Sequence, residues 1–260
     1  PPVSPPFRAV CRTTGRRIVE VPVTADGRLD LDALAEAFKR EHPAAYLLCS
    51  PHNPSGVVHT ADELARVMEL ANAHGVTVIC DEIHAPLSGA EHTPIQLVPG
   101  GERALTVTSA SKSWNLAGLK AGLIVPGAEA VGVVRSLGGY VPESASYLGV
   151  VAHATALTHG RDWLAEAVAG IHENKQYFAD ELHRAIPELS WTPSQGTYLA
   201  WLDCSPLGLT HAGQHFFEQA KVRFGQGTDY DPAATQFVRV NLATSQEIIS
   251  EAVRRMAASL

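Results

Sequence analysis

Apolar and polar positions alternate along this chain with two different periods. Residues 17–23, RIVEVPV, read as an extended segment. Over 29–42, LDLDALAEAFKREH sets Leu31, Leu34, Ala35 and Phe38 at helical spacing, with Asp30 placed to cap the first turn. AYLLCS (45–50) is a short, nearly continuous apolar run, as in a strand buried on both faces. Thr60-Ala-Asp-Glu63 is a capping-box pattern. It predicts a helix whose inner face is Leu64, Val67, Met68 and Ala71 and which stops at Gly75. VTVICD (76–81), ALTVTS (104–109) and LKAGLIV (119–125) repeat the buried-strand theme. Strand and helix in alternation, with a turn-rich loop after each strand, predict a layered α/β fold around a mostly parallel sheet.

From about residue 144 the texture changes. SASYLGVVAHATALTHG and DWLAEAVAGIHENKQYFADELHRAI predict consecutive helices, the second long and capped near Asp162. TYLAWLD (197–203), a helix at 210–220, KVRF, QFVRVNL (236–242) and a last helix after Ser245 then form a small α+β set. The chain therefore divides into an incomplete large domain, residues 1–158, and a small C-terminal domain, 159–260, that opens with a long connecting helix. Its first residues, PPVSPPF, lack an initiator Met and form neither a signal peptide nor a helix cap. The expectation is that they continue a longer protein.

Composition narrows the classes. A formal net charge of −7 gives no clustered positive charge for a phosphate backbone, so nucleic acid is not an expected partner. A hydrophobic content of 45% with 18% charged residues excludes a disordered chain. No apolar stretch reaches the roughly 18–20 residues that cross a bilayer. Cys11, Cys49, Cys80 and Cys204 lie far apart without a CxxC, as reduced thiols of a cytoplasmic protein would. The twelve histidines show no HExxH-like spacing, and no metal is expected.

In an open α/β sheet, ligands sit outside the carboxyl ends of the strands. Three such ends carry unusual residues: Ser50-Pro-His-Asn-Pro-Ser-Gly56, Asp81-Glu-Ile-His84 and Ser109-Ala-Ser-Lys112. Asn53, Asp81, His84, Ser109, Ser111 and Lys112 are expected to converge on one crevice. Each has an ordinary reading: a turn residue for Asn53, a cap for Asp81, a solvated lysine for Lys112, capping hydroxyls for the serines. Together they suit a pyridoxal phosphate site, where a lysine amine meets the aldehyde and a carboxylate keeps the pyridine nitrogen protonated. Asn53 and His84 would then face the ring's phenolic oxygen, with Ser109 and Ser111 beside the phosphate.

SPHNPSG, VICDEIH, SASKSWNLAGLK, GTYLAWLDC and FVRVNLATS, in this order, resemble the motif series of the class I/II aminotransferase superfamily of fold-type I enzymes. The similarity is strongest to the MalY/PatB-type branch of cystathionine β-lyases and C–S lyases. The resemblance implies pyridoxal 5′-phosphate as cofactor, Lys112 as its Schiff-base lysine and Asp81 as the partner of the pyridine nitrogen. It also implies Arg239, in FVRVN, as the arginine that grips the substrate α-carboxylate, a task suited to a bidentate fork. The substrate would be a small amino acid and the complete protein a homodimer. Lys120 stands where many relatives carry a phosphate-binding arginine, and Ser4 where the P-x-Y-x-x-F stretch carries a ring-stacking aromatic.

β-Elimination from a sulfur amino acid, giving pyruvate, ammonia and a thiol, is the expected reaction. Transamination shares the same residues and stays open, as does a catalytically inert fragment that keeps the fold. Ser109-Ala-Ser-Lys112 also satisfies S-x-x-K, the signature of a serine acyl-transfer enzyme, but no K-T-G follows. GxGxxG and Walker A patterns are absent, which excludes a nicotinamide or P-loop reading. Exposed apolar surface is expected to make this chain prone to aggregate.

Overall fold

The computed structural model describes residues 1–88 and 92–260. By its contacts the chain forms two compact units. A mid-chain unit holds Val19–His52 and Val57–Glu166; a terminal unit holds Pro1–Ile18, Asn53–Gly56 and Ala167–Leu260. The first helix, α1 (Pro5–Thr13), belongs to the terminal unit. Sequence periodicity did not announce it. Two prolines occupy its first positions, where a missing N–H costs nothing and a fixed φ favours the helix. Ser4 precedes them at the N-cap position without a side-chain cap bond.

The mid-chain unit begins with residues 17–23, which join neither sheet; Pro22 among them cannot donate to a ladder. Helix α2 (Leu31–Glu41) starts where the Asp30 carboxylate accepts from the Ala33 N–H at 2.9 Å. Strand β1 (Ala45–Cys49) leads to α3 (Ala61–His74), whose capping box is fully formed. Thr60 Oγ1 accepts from the Glu63 N–H, and Glu63 Oε2 accepts from the Thr60 N–H. The helix ends at Gly75 with φ 68°, a left-handed turn that suits glycine. Leu64, Val67, Met68 and Ala71 are fully buried, the face that the spacing predicts.

Strands β2 (Thr77–Asp81) and β3 (Leu105–Thr108) run parallel to β1, in the order β1-β2-β3. The four-residue helix α4 (Ala110–Ser113) follows β3 at once, and β4 (Leu123–Pro126) then pairs antiparallel with β3. β4 begins later than the apolar run suggests, because Lys120 occupies a turn at φ 52°. Leu34, Phe38, Leu48, Met68, Val78 and Cys80 fill the core between helices and sheet. The unit closes with α5 (Val131–Arg135), α6 (Tyr140–Glu143) and α7 (Tyr147–His159). Exposed apolar side chains gather on β4, α6 and α7, among them Leu123, Ile124, Val125, Tyr140, Tyr147 and Leu148.

Helix α8 (Arg161–Ala185) begins in the mid-chain unit and continues into the terminal one. There follow β5 (Leu199–Asp203), α9 (Ala212–His215), β6 (Gly225–Gln226), α10 (Gly227–Tyr230), β7 (Phe237–Asn241) and α11 (Gln246–Ala258). The helix expected over 210–220 is α9 running into one π-helical stretch, Phe216–Ala220. The three strands form an antiparallel sheet in the order β5-β7-β6. Phe178 and Leu182 of α8, Leu202 of β5, Phe216, Val238 of β7 and Val253 of α11 make its core.

Candidate active site

Because β1, β2 and β3 are parallel, their carboxyl ends share one edge: Cys49 pairs with Asp81, and Asp81 with Val107. Asp81 is the last residue of β2. Its Oδ1 accepts from the Ile83 N–H at 3.0 Å. Burial pushes its carboxyl above the ordinary 3.8, against the pull of that N–H and of the Lys112 charge. The lysine of one loop therefore acts electrostatically on the acid of the next. Lys112 itself is half-buried in α4, one turn beyond β3.

Ser109 caps α4. Its Oγ accepts from the Ser111 N–H at 3.0 Å, lies 2.5 Å from Ser111 Oγ and donates to the Ala121 carbonyl at 2.8 Å. That proton goes to a backbone oxygen rather than to Lys112, which leaves the S-x-x-K pattern without its hydroxyl–amine bond. His84 lies three residues past the end of β2 and is 3% exposed; its carbonyl accepts from the Leu87 N–H. Lys120 is exposed in the turn before β4.

Asn53 and Arg239 belong to the terminal unit, and there they meet. Arg239 sits in the middle of β7, opposite Trp201 of β5 and Gly225 of β6. Its Nη1 donates to Asn53 Oδ1 at 3.0 Å, and its guanidinium carbon lies 4.8 Å from the centre of the Tyr230 ring. Its Nε is buried and makes no hydrogen bond among the described residues. A buried guanidinium N–H without an acceptor is costly, and a carboxylate is its natural partner. Burial raises the phenols of Tyr198 and Tyr230, with the Arg239 charge opposing both. The sequence did not single out Tyr230; its cue is the non-local stacking of its ring on Arg239.

Among the described residues, no group of three His, Cys, Asp or Glu side chains is arranged to hold a metal, and no helix is long and apolar enough to cross a membrane. All four cysteines are free thiols.

Against known protein families, residues 1–256 match the one described as Aminotransferase class I and II. The chain belongs to that family. A protein of Mycobacterium leprae named for cystathionine beta-lyase activity is 42% identical over 283 residues, covering 100% of this chain and 70% of the relative. Cystathionine beta-lyase PatB of Bacillus subtilis is 33% identical, with the same coverage of both chains. Among solved structures, one from Corynebacterium diphtheriae named for PLP-dependent beta-cystathionase activity superposes with a TM-score of 0.92 at 32% identity. It covers 99% of this chain and 69% of that one. The chain thus spans about 70% of the length of these relatives. The α/β large domain with a mostly parallel sheet, together with a small α+β domain, is the fold of this enzyme family, and the MalY/PatB-type resemblance holds.

Proposed function

We propose that this chain is a pyridoxal 5′-phosphate-dependent C–S β-lyase that cleaves cysteine S-conjugates such as cystathionine to pyruvate, ammonia and a thiol. The observation that carries the reading is the placement of Asp81 at the carboxyl end of β2 and of Lys112 just past the carboxyl end of its parallel neighbour β3. The residues present fit the cofactor. Burial leaves Asp81 short of positive charge, which a protonated pyridine nitrogen supplies, and the lysine beside it is an amine in reach of water.

When bound, the cofactor supplies an aldehyde that condenses with amines and a cationic ring that accepts electrons from the substrate α-carbon. Lys112 would hold it through its amine and, when that amine is free, would be the base for the Cα proton. Asp81 would pair with the ring nitrogen and favour its protonated form. Ser109, Ser111 and Lys120 would serve the phosphate, and His84 and Asn53 would each serve the phenolic oxygen. Asn53 Oδ1 is engaged by Arg239, so its amide N–H groups are the donors left for that oxygen. The free Nε edge of Arg239 takes the substrate α-carboxylate. The complete protein works as a homodimer in the cytoplasm.

Incubation of the loaded protein with cystathionine should release pyruvate and homocysteine. Adding the cofactor to the protein should produce a visible absorption band that Lys112→Ala abolishes. Strict dependence on a 2-oxo acid acceptor would make the chain an aminotransferase instead. A flat cofactor titration would leave only an inert relative that keeps the fold.

A further inference from the structure

The long helix α8 buries Ile171, Lys175, Phe178 and Leu182 along one stripe, at helical spacing. Three of them are apolar, as a core stripe requires. The fourth is a lysine only 2% exposed. Lysine is among the residues least often buried, and it stays charged in such a place only when its protons are taken up. Lys175 Nζ donates to the Ser194 carbonyl at 2.6 Å and to the Gly196 carbonyl at 3.2 Å.

Those two carbonyls lie in the loop that precedes β5, and the loop is strained. Thr197, fully buried, sits at φ 60°, a left-handed conformation that β-branched residues rarely adopt. Such a backbone persists only where its surroundings over-determine it. Next to it, the Gly196 N–H donates to the Gly56 carbonyl at 2.8 Å. Gly56 is at φ 74°, and a Cβ there would come within 2.3 Å of Ser194 Oγ. The turn Asn53–Gly56 is thus seated on the loop that Lys175 holds, and its first residue is the Asn53 that accepts from Arg239.

We propose that Lys175 is a positioning residue for the substrate-carboxylate site. Its buried ammonium fixes the 194–197 loop, the loop fixes the Asn53–Gly56 turn, and Asn53 aims the Arg239 fork. The proposal rests on the reading of Arg239 as the carboxylate group's partner. It adds that the aim of this arginine is set by a cation that never touches the ligand.

The test uses the cofactor-loaded protein with propionate as a carboxylate probe, its binding followed by NMR titration, and with cystathionine for kinetics. Lys175→Met keeps the length of the side chain and removes the charge. It is expected to weaken propionate binding by about tenfold, the effect of one lost charge-assisted hydrogen bond, and to raise KM more than it lowers kcat. Thermal stability should fall only modestly, because the variant sheds the cost of burying an ammonium but leaves the Ser194 and Gly196 carbonyls without their donor. Lys175→Gln, which retains a donor, should recover part of the affinity. Unchanged affinity in a folded Lys175→Met protein overturns the proposal. So does a variant that loses stability and kcat together while its KM stays put. Arg239→Ala is the separate control: if it binds propionate as well as the parent does, the carboxylate reading itself fails. Should Lys175→Met not fold, hydrogen exchange on the unaltered protein decides. Propionate must slow exchange of the Gly196 amide, and an unaltered rate there refutes the link.

Discussion

Acidification from pH 6.5 to pH 4 should destabilise this protein by about 3 kcal/mol through one residue, His59. His59 is fully buried, with only the Cys49 backbone, among the described residues, near enough to its ring to favour the charged form by hydrogen bonding. Burial pushes its imidazole from the ordinary 6.5 down to about 4; the nearby Glu63 charge opposes that effect and Arg28 adds to it. Below pH 6.5 the unfolded chain takes up a proton that the folded one refuses, so the unfolded state binds more protons in this window. Stability therefore rises with pH between 4 and 6.5 and falls on acidification, and the loss from this group levels off below 4. His59→Phe keeps an aromatic ring of similar size and cannot titrate. Urea midpoints for both proteins at half-unit steps of pH give a difference curve free of the other histidines. At neutral pH the variant should stay close to the parent, since an aromatic ring of similar size fills the same buried place. The difference should then grow in its favour by about 3 kcal/mol as pH drops to 4. Parallel curves over that range would refute the reasoning.

The Glu63 carboxyl gives a second, separate acid window. Burial pushes it up, but the Arg28 guanidinium and the Thr60 N–H outweigh that and hold it at about 2. Its stabilisation is complete above the ordinary 4.5 and disappears as pH falls towards 2; Arg28→Met should flatten that limb in the same urea series. Thiol labelling of the native protein should be fast at one cysteine alone. Cys11 is partly exposed, whereas Cys49, Cys80 and Cys204 are buried, and burial pushes the Cys204 thiol up to about 12. Rapid reaction of more than one thiol before unfolding would contradict the packing. The exposed apolar side chains of β4 should make the chain self-associate, and light scattering should show less association in the double variant Leu123→Lys, Ile124→Lys.

Features written in neighbouring residues were legible without coordinates. The cap of α3 is one: Thr60, Glu63 and Gly75 act on backbone groups within a turn of themselves. The loops bearing Asp81 and Lys112 were legible too, because a polar residue that ends an apolar run is a local signal. Three features escaped. Helix α1 hid behind prolines that usually break helices. Residues 17–23 carry the apolar content of a strand yet join neither sheet. The bond from Arg239 to Asn53 spans 186 positions, and no window of sequence contains both partners. Lys175 left a readable trace, since it occupies the apolar stripe of α8, but composition alone files a lysine under solvent.

Asp81 holds its place at the end of β2 at a cost. A carboxyl pushed above its ordinary value is held protonated by the folded chain at a pH where the unfolded chain has already released the proton. Its contribution to stability is present below pH 3.8 and is lost as pH rises through the raised value, so at neutral pH its charge works against the fold. Lys112 relieves this only in part, because burial still outweighs its pull. A cation placed against Asp81 by a ligand would repay that strain on binding. Asp81→Asn, whose Oδ1 can still accept from the Ile83 N–H, should therefore melt at or above the parent without cofactor. Added pyridoxal 5′-phosphate should then raise its melting temperature by less than it raises the parent's. A variant less stable than the parent when empty, and equally stabilised by the cofactor, would show that Asp81 serves the sheet and not the ligand.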